Sequence, residues 1–121
     1  MSIVLDVGAL IGVDRRSRAV LALLRIAEQE NEPLLTSAAV VAQVWRDGSR
    51  QANLARLLSG VRVTALSPEA GRQLGSCQSA DVVDAHIASL ATTGDVLLTS
   101  DPLDLRRLLV ARGVEATIHE V

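Results

Sequence analysis

The chemistry this chain can do is concentrated in carboxylates. Between Ala80 and Leu105, Asp81 and Asp84 stand three apart in a segment with helical periodicity, so both side chains project from one helix face about a turn apart. Asp101 follows an uncharged run, Val96 to Ser100, that reads as a buried strand, and Asp104 lies three residues further on. Asp6 closes a similar apolar run, Ile3-Val4-Leu5, near the start of the chain. Carboxylates gathered at strand ends offer the hard oxygen ligands that magnesium or manganese prefers, and a phosphodiester is the natural substrate of such an ion. Crowded acids also repel one another. Some pKa values should rise, and stability without metal should suffer.

The elements that must position these acids alternate along the chain. Ile3–Leu5 is a first strand with Asp6 at its tip, and Ser17 to Glu30 is an amphipathic helix closed by Asn31 and Pro33. A short strand at Leu34 to Thr36 follows, then a helix capped by Ser37 running through Trp45 to Gly48. Ser49 opens another helix, Arg50 to Leu58, which Gly60 ends. Val61 to Leu66 is a third strand. Ser67-Pro68-Glu69 starts a short helix, followed by a polar loop at Gly75 to Gln78. Ser79 caps the helix that holds Asp81 and Asp84, which ends at Gly94. Val96 to Thr99 is the fourth strand, Asp101-Pro102 starts a helix that stops at Gly113, and Val114 to His119 is a fifth strand at an edge. Strands alternating with helices predict an α/β fold with a mainly parallel sheet and helices on both faces. Ligands in such sheets sit outside the carboxyl ends of the strands, the edge where Asp6, Asp81, Asp84 and Asp101 converge.

Length and composition bound the rest. The 121 residues fit one domain spanning residues 1–121. Apolar residues make up 49 % of the chain, yet no uncharged run reaches the ~18 residues of a membrane span. The start of the chain lacks the basic region and cleavage site of a signal peptide, and Cys77 has no partner for an internal disulfide, so a cytoplasmic protein with no membrane association is expected. The net charge of −2 gives no global case for nucleic acid. Any such binding must be local and rest on arginine, because the chain has neither Lys, Phe nor Tyr and its single aromatic is Trp45.

With VLDVGALIG near its start, SAAVVAQVWRDG in the middle, then SADVVDAHIASLA and LLTSDPLDL in that order, the sequence resembles the PIN-domain nucleases, and among them the small VapC-type toxins of bacterial toxin-antitoxin pairs. The resemblance covers nearly the whole chain. It implies a PIN-like three-layer α/β/α fold with a five-stranded parallel sheet, magnesium or manganese at its C-terminal edge, and endonucleolytic cleavage of RNA. It also implies an antitoxin protein that wraps the fold, and a homodimer. Residue by residue, Asp6 matches the first metal-site acid, Asp84 the third and Asp101 the fourth, with Asp81 an additional acid that many members carry. These are the expected catalytic and metal-binding residues. The second acid falls where this chain has Gln43, which coordinates only through a neutral carbonyl and cannot act as a base. Asp47, four residues on, would share that helix face and partly substitute. Members often carry a hydroxyl or amide to orient the first acid where this chain has Val7-Gly8.

Each residue also has a plainer reading. Asp81 complements a helix N-terminus, Asp101 can cap the helix at Pro102, and Asp104 can be first-turn charge. Asp6 is harder to dismiss, since an acid ending an apolar strand is costly unless paired or liganded. Thr99 and Ser100 can hydrogen-bond the aspartates or merely satisfy backbone. Arg46 and Arg50, near Gln43, are candidates for RNA phosphate contacts or for a solvated, salt-bridged face. His86 points away from Asp84, and Trp45 and Cys77 read as packing residues. Receiver domains and haloacid-type phosphatases also gather aspartates at strand ends, but both need a Lys that this chain lacks. A PIN-like module that binds RNA or a partner protein without cutting remains the alternative, because of Gln43.

Overall fold

The computed structural model describes residues 1–76 and 81–121. Ser79 and Cys77, expected to cap a helix and to pack, lie outside the described residues. Strand β1 (Ile3–Leu5) is uncharged and buried along its whole length, as a strand covered on both faces must be. It lies between β2 (Leu34–Ser37) and β4 (Val96–Thr99), while β3 (Arg62–Thr64) and β5 (Thr117–Glu120) take the edges, giving the order β3-β2-β1-β4-β5. All described pairings are parallel, with Val4 opposite both Leu35 and Leu97. Asp6 therefore leaves the sheet at the carboxyl edge of its central strand.

The first helix, α1 (Val7–Asp14), has no counterpart among the sequence-based expectations. Its sequence, VGALIGVD, is apolar on nearly all sides and carries two glycines, so it shows no amphipathic stripe. Those glycines are close-approach positions. A Cβ at Gly12 would lie 2.6 Å from Val20 Cγ2, which lets α1 pack directly on α2 (Arg18–Gln29). Ser17 caps α2 by accepting the Val20 N–H.

The middle of the chain departs from expectation more sharply. Helix α3 (Ala38–Val44) stops before Trp45, and α4 (Ala52–Leu58) starts only after Gln51, so Asp47 is not on the helix that carries Gln43. The cause is the buried Gln51 side chain. Its Oε1 accepts the N–H groups of Arg46 at 2.7 Å and Asp47 at 3.0 Å, and its Nε2 donates to Val44 O and to Asp14 Oδ2. Two amides that would have continued the helix are thereby turned into a pinned loop. Ser49 does not cap α4 but bonds to the Asp47 carboxylate.

Helices α5 (Pro68–Ser76), α6 (Val82–Leu90) and α7 (Pro102–Arg112) complete the chain, and α6 packs on α5, α7, β1 and β2. Helix α6 ends at Ala91 rather than at Gly94, and Arg112 Nη1 donates to Ala88 O and Ala91 O there. Gly113 closes α7 in the left-handed region, as its position in the sequence suggests. Among the described residues no helix is long and apolar enough to cross a membrane.

One buried acid escapes notice in the sequence. Asp95, at the opposite edge from Asp6, accepts the Ser2 N–H at 2.8 Å, the Thr92 N–H at 2.8 Å and the Thr92 hydroxyl at 3.0 Å, fastening the first residues to the turn before β4. Burial pushes its pKa up, but the bonds from Thr92 and Ser2 outweigh burial and hold it below the ordinary 3.8. Asp95→Ala strands these donors and should cost about 3 kcal/mol in a urea melt at pH 7. A depressed native pKa stabilises above the unfolded value, so the difference between wild type and variant should shrink as pH falls below about 4. A difference that is the same at pH 3 and pH 7 would contradict this role.

Candidate metal centre

Asp6 is 5 % exposed and sits at the N-cap position of α1, yet its side chain makes no capping bond. Its Oδ2 accepts the Thr99 hydroxyl at 2.7 Å, while Oδ1 is buried with no hydrogen-bond partner among the described residues. Thr99 Oγ1 in turn accepts the Asp101 N–H at 3.0 Å. One hydroxyl thus ties the tips of β1 and β4 together and fixes Asp6, the orienting task for which residue 8 has no side chain. Gly8 could not supply one: a Cβ there would lie 2.5 Å from Ser100 Oγ and 2.9 Å from Ser100 N. The exposed Ser100 packs against α1 rather than holding Asp6.

Across the edge, carboxylate oxygens of Asp84, Asp101 and Asp104 lie within 4.8 Å of one another. Asp101 occupies the N-cap position of α7 but makes no capping bond, so the plain capping role is not the one its carboxylate plays. Asp104 belongs to the same cluster, although its exposed carboxylate also meets Arg107 at 4.0 Å. Asp81 does take the plain role, capping α6 by accepting the Asp84 N–H at 3.0 Å. Asp84 feels all of this. Partial burial and the charges of Asp81, Asp6, Asp101 and Asp104 push its carboxyl up from 3.8 to about 6.

Helix α6 is aimed by a residue pair that sequence reasoning missed. Buried Ser37 Oγ meets buried His86 Nδ1 at 2.5 Å and also accepts the Ala39 N–H, so one side chain caps α3 and locks α6 against the end of β2. Burial lowers the His86 pKa, in keeping with a ring packed in the core against Ser37. The signal was available in retrospect as a mostly apolar helix carrying His86 two positions after Asp84.

The remaining candidates lie outside the cluster. Gln43 is exposed on α3. Asp47 is held by Ser49, whose side-chain and backbone hydrogen bonds lower its pKa, and it pairs with Arg50 at 3.7 Å. Arg46 Nη1 donates to Ala42 O and Trp45 O at the end of α3. Trp45 is not a packing residue in the expected sense, being 38 % exposed.

No protein-family model matches the chain, and no curated protein matches its sequence. Among solved structures it is similar to a chain of VapBC2 from Rickettsia felis, a complex determined bound to a DNA fragment from their promoter. The two share 13 % identity and a TM-score of 0.65 over 98 % of this chain and 99 % of that one. The fold is PIN-like, an α/β architecture built on a five-stranded parallel sheet. In a PIN-like sheet the carboxyl edge is where β1 and β4 end, and here both carry their acids on tips joined through Thr99.

The geometry has two measurable consequences. Thr99→Val keeps the shape but leaves Asp6 without its hydroxyl donor, and should cost about 1–3 kcal/mol of stability. Asp84 binds a proton in the folded protein between about pH 4 and 6 where the unfolded chain does not, so stability should fall as pH rises through that window. Asp84→Asn should flatten the slope and raise the melting temperature at pH 7 without metal. An equal slope in wild type and Asp84→Asn would remove Asp84 from the electrostatic centre.

Proposed function

We propose that this chain is a magnesium- or manganese-dependent endoribonuclease, the toxin of a toxin-antitoxin pair. The observation that carries the reading is the buried Oδ1 of Asp6, which has no hydrogen-bond partner among the described residues, on a carboxylate whose charge reaches Asp84 of the Asp84–Asp101–Asp104 cluster. A carboxylate oxygen withdrawn from water without a partner is costly, and a cation removes that cost. The donor set fits a hard divalent ion. Asp6, Asp84 and Asp101 would hold it, with Asp104 joining them and Asp81 assisting from the cap of α6. Magnesium or manganese bound there would polarise a phosphoryl oxygen and acidify the attacking water.

The chain's own groups supply the rest. Thr99 keeps Asp6 in place, and Ser37 with His86 keeps Asp84 in place. The pKa of about 6 belongs to Asp84 without a cation; with one bound its carboxylate would stay ionised as a ligand, the proton lost by the attacking water would pass to solvent, and the leaving sugar oxygen would take one up as its P–O bond breaks. An antitoxin partner is supported by the likeness to a VapBC complex. A cleft of about 740 Å³ lies at the far edge of the sheet, with Leu21, Leu24 and Leu57 lining it alongside Arg16, Arg25 and Arg56, so a protein seated there would leave the carboxylates uncovered.

The second reading, a PIN-like module that binds RNA or protein without cutting, is favoured by one observation: Gln43 brings no carboxylate to the site. Cleavage of structured RNA with and without EDTA separates the two. The nuclease should release fragments only with Mg²⁺ or Mn²⁺, and Asp101→Ala should reduce the rate at least a hundredfold. Millimolar metal should also raise the melting temperature, an increase that Asp6→Asn abolishes. Gln43→Glu should tighten metal binding and speed cleavage. RNA bound by wild type without metal-dependent fragments would leave only the binding module.

A further inference from the structure

We propose that Trp45 is the base-stacking platform that receives single-stranded RNA leading into the carboxylate edge, an inference that rests on the ribonuclease reading above. The chain has no other aromatic side chain, and this one is left 38 % exposed when the core would readily take an indole. Its exposure is built. The Gln51 amide holds the loop that carries Trp45, accepting from Arg46 N and Asp47 N and donating to Val44 O, and ties it to α1 through Asp14 Oδ2. Gly48 lies against the ring, where a Cβ would fall 2.7 Å from Trp45 Cζ2, so the loop supports the indole without covering it.

Position and charge fit a nucleic acid strand. Helix α3 starts at Ser37, on the carboxyl edge of β2 beside Asp6, and its seven residues span about 10 Å. That is roughly three stacked nucleotides at about 3.4 Å each. Within the loop from Trp45 to Arg50, the exposed Arg46 and Arg50 outnumber the acid Asp47, a positive excess along that stretch in a chain of net charge −2. Stacking on an indole needs no particular base, so Trp45 would set the path of the strand rather than its sequence.

Because Trp45 is the sole indole and there is no Tyr, intrinsic fluorescence reports this residue alone. A short unstructured oligoribonucleotide mixed with the full chain in Mg²⁺ should quench the emission before cleavage, whereas an abasic strand of equal length and charge should not. Trp45→Leu should raise KM for RNA cleavage roughly tenfold with kcat changed less than twofold, and Trp45→Phe should recover most of the loss. Far-UV circular dichroism confirms that the variants fold. If wild type cuts and Trp45→Leu cuts with an unchanged KM, the platform is wrong while the nuclease survives. If wild type does not cut, the nuclease reading falls and takes the platform with it. Emission that shifts on dilution without RNA would mean that Trp45 faces a second copy of the chain, and would overturn the proposal.

Discussion

A carboxylate at the tip of the central strand, half satisfied, is the constraint around which this molecule is arranged. Asp6 is driven below the surface because β1 is covered on both faces, and only one of its two oxygens has a protein donor. A buried carboxylate with a free oxygen is tolerated when it is held rigidly and when something other than the protein can complete it. The hold is provided by Thr99, whose hydroxyl donates to Asp6 and accepts from the Asp101 backbone. Strand pairing alone would place these tips side by side, and the hydroxyl adds the angular definition that a ligand set requires.

The acids closing the other side are brought in by helix starts. Helices α1, α6 and α7 all begin at this edge, immediately after Asp6, Asp81 and Asp101 respectively. Each N-terminus carries roughly half a positive charge in its unpaired amides, which offsets part of the repulsion among the carboxylates where no Lys or Arg is buried among them. The offset is incomplete. Partial burial and the charges of Asp81, Asp6, Asp101 and Asp104 still push the Asp84 carboxyl up to about 6. The apo site is therefore a place of stored electrostatic cost, consistent with a cation as its natural complement.

Much of this was legible in the sequence, and the exceptions have physical causes. Strands β1, β2 and β4 were plain because uncharged runs bounded by turn residues have few other uses, and Asp6 and Asp101 were plain because they end such runs. Helix α1 was not, since a helix buried on nearly every side has no amphipathic stripe and its glycines argue against it, although they exist to bring α2 and Ser100 close. The loop from Trp45 to Arg50 was hidden because the Gln51 side chain, reaching back to Arg46 and Asp47, ends the helix from outside. Local pattern carries no trace of such a bond. The misplacing of Asp47 and the reading of Trp45 as core follow from that one miss.

Asp104 shows how the same residue changes meaning with context. In sequence it is first-turn charge on α7, and its contact with Arg107 at 4.0 Å between exposed side chains contributes little. Folding brings its oxygens within 4.8 Å of Asp84 and Asp101, so it adds to the negative potential that lifts the Asp84 pKa. Gln43 on α3 brings no charge, whereas α7 adds a third carboxylate to the pair Asp84 and Asp101. A strand of RNA crossing the carboxyl edge would meet repulsion over β4 and an exposed indole with two arginines beyond β2. Under the ribonuclease reading proposed above, a phosphate would approach from the α3 side and would reach the carboxylates only once a cation had cancelled their charge.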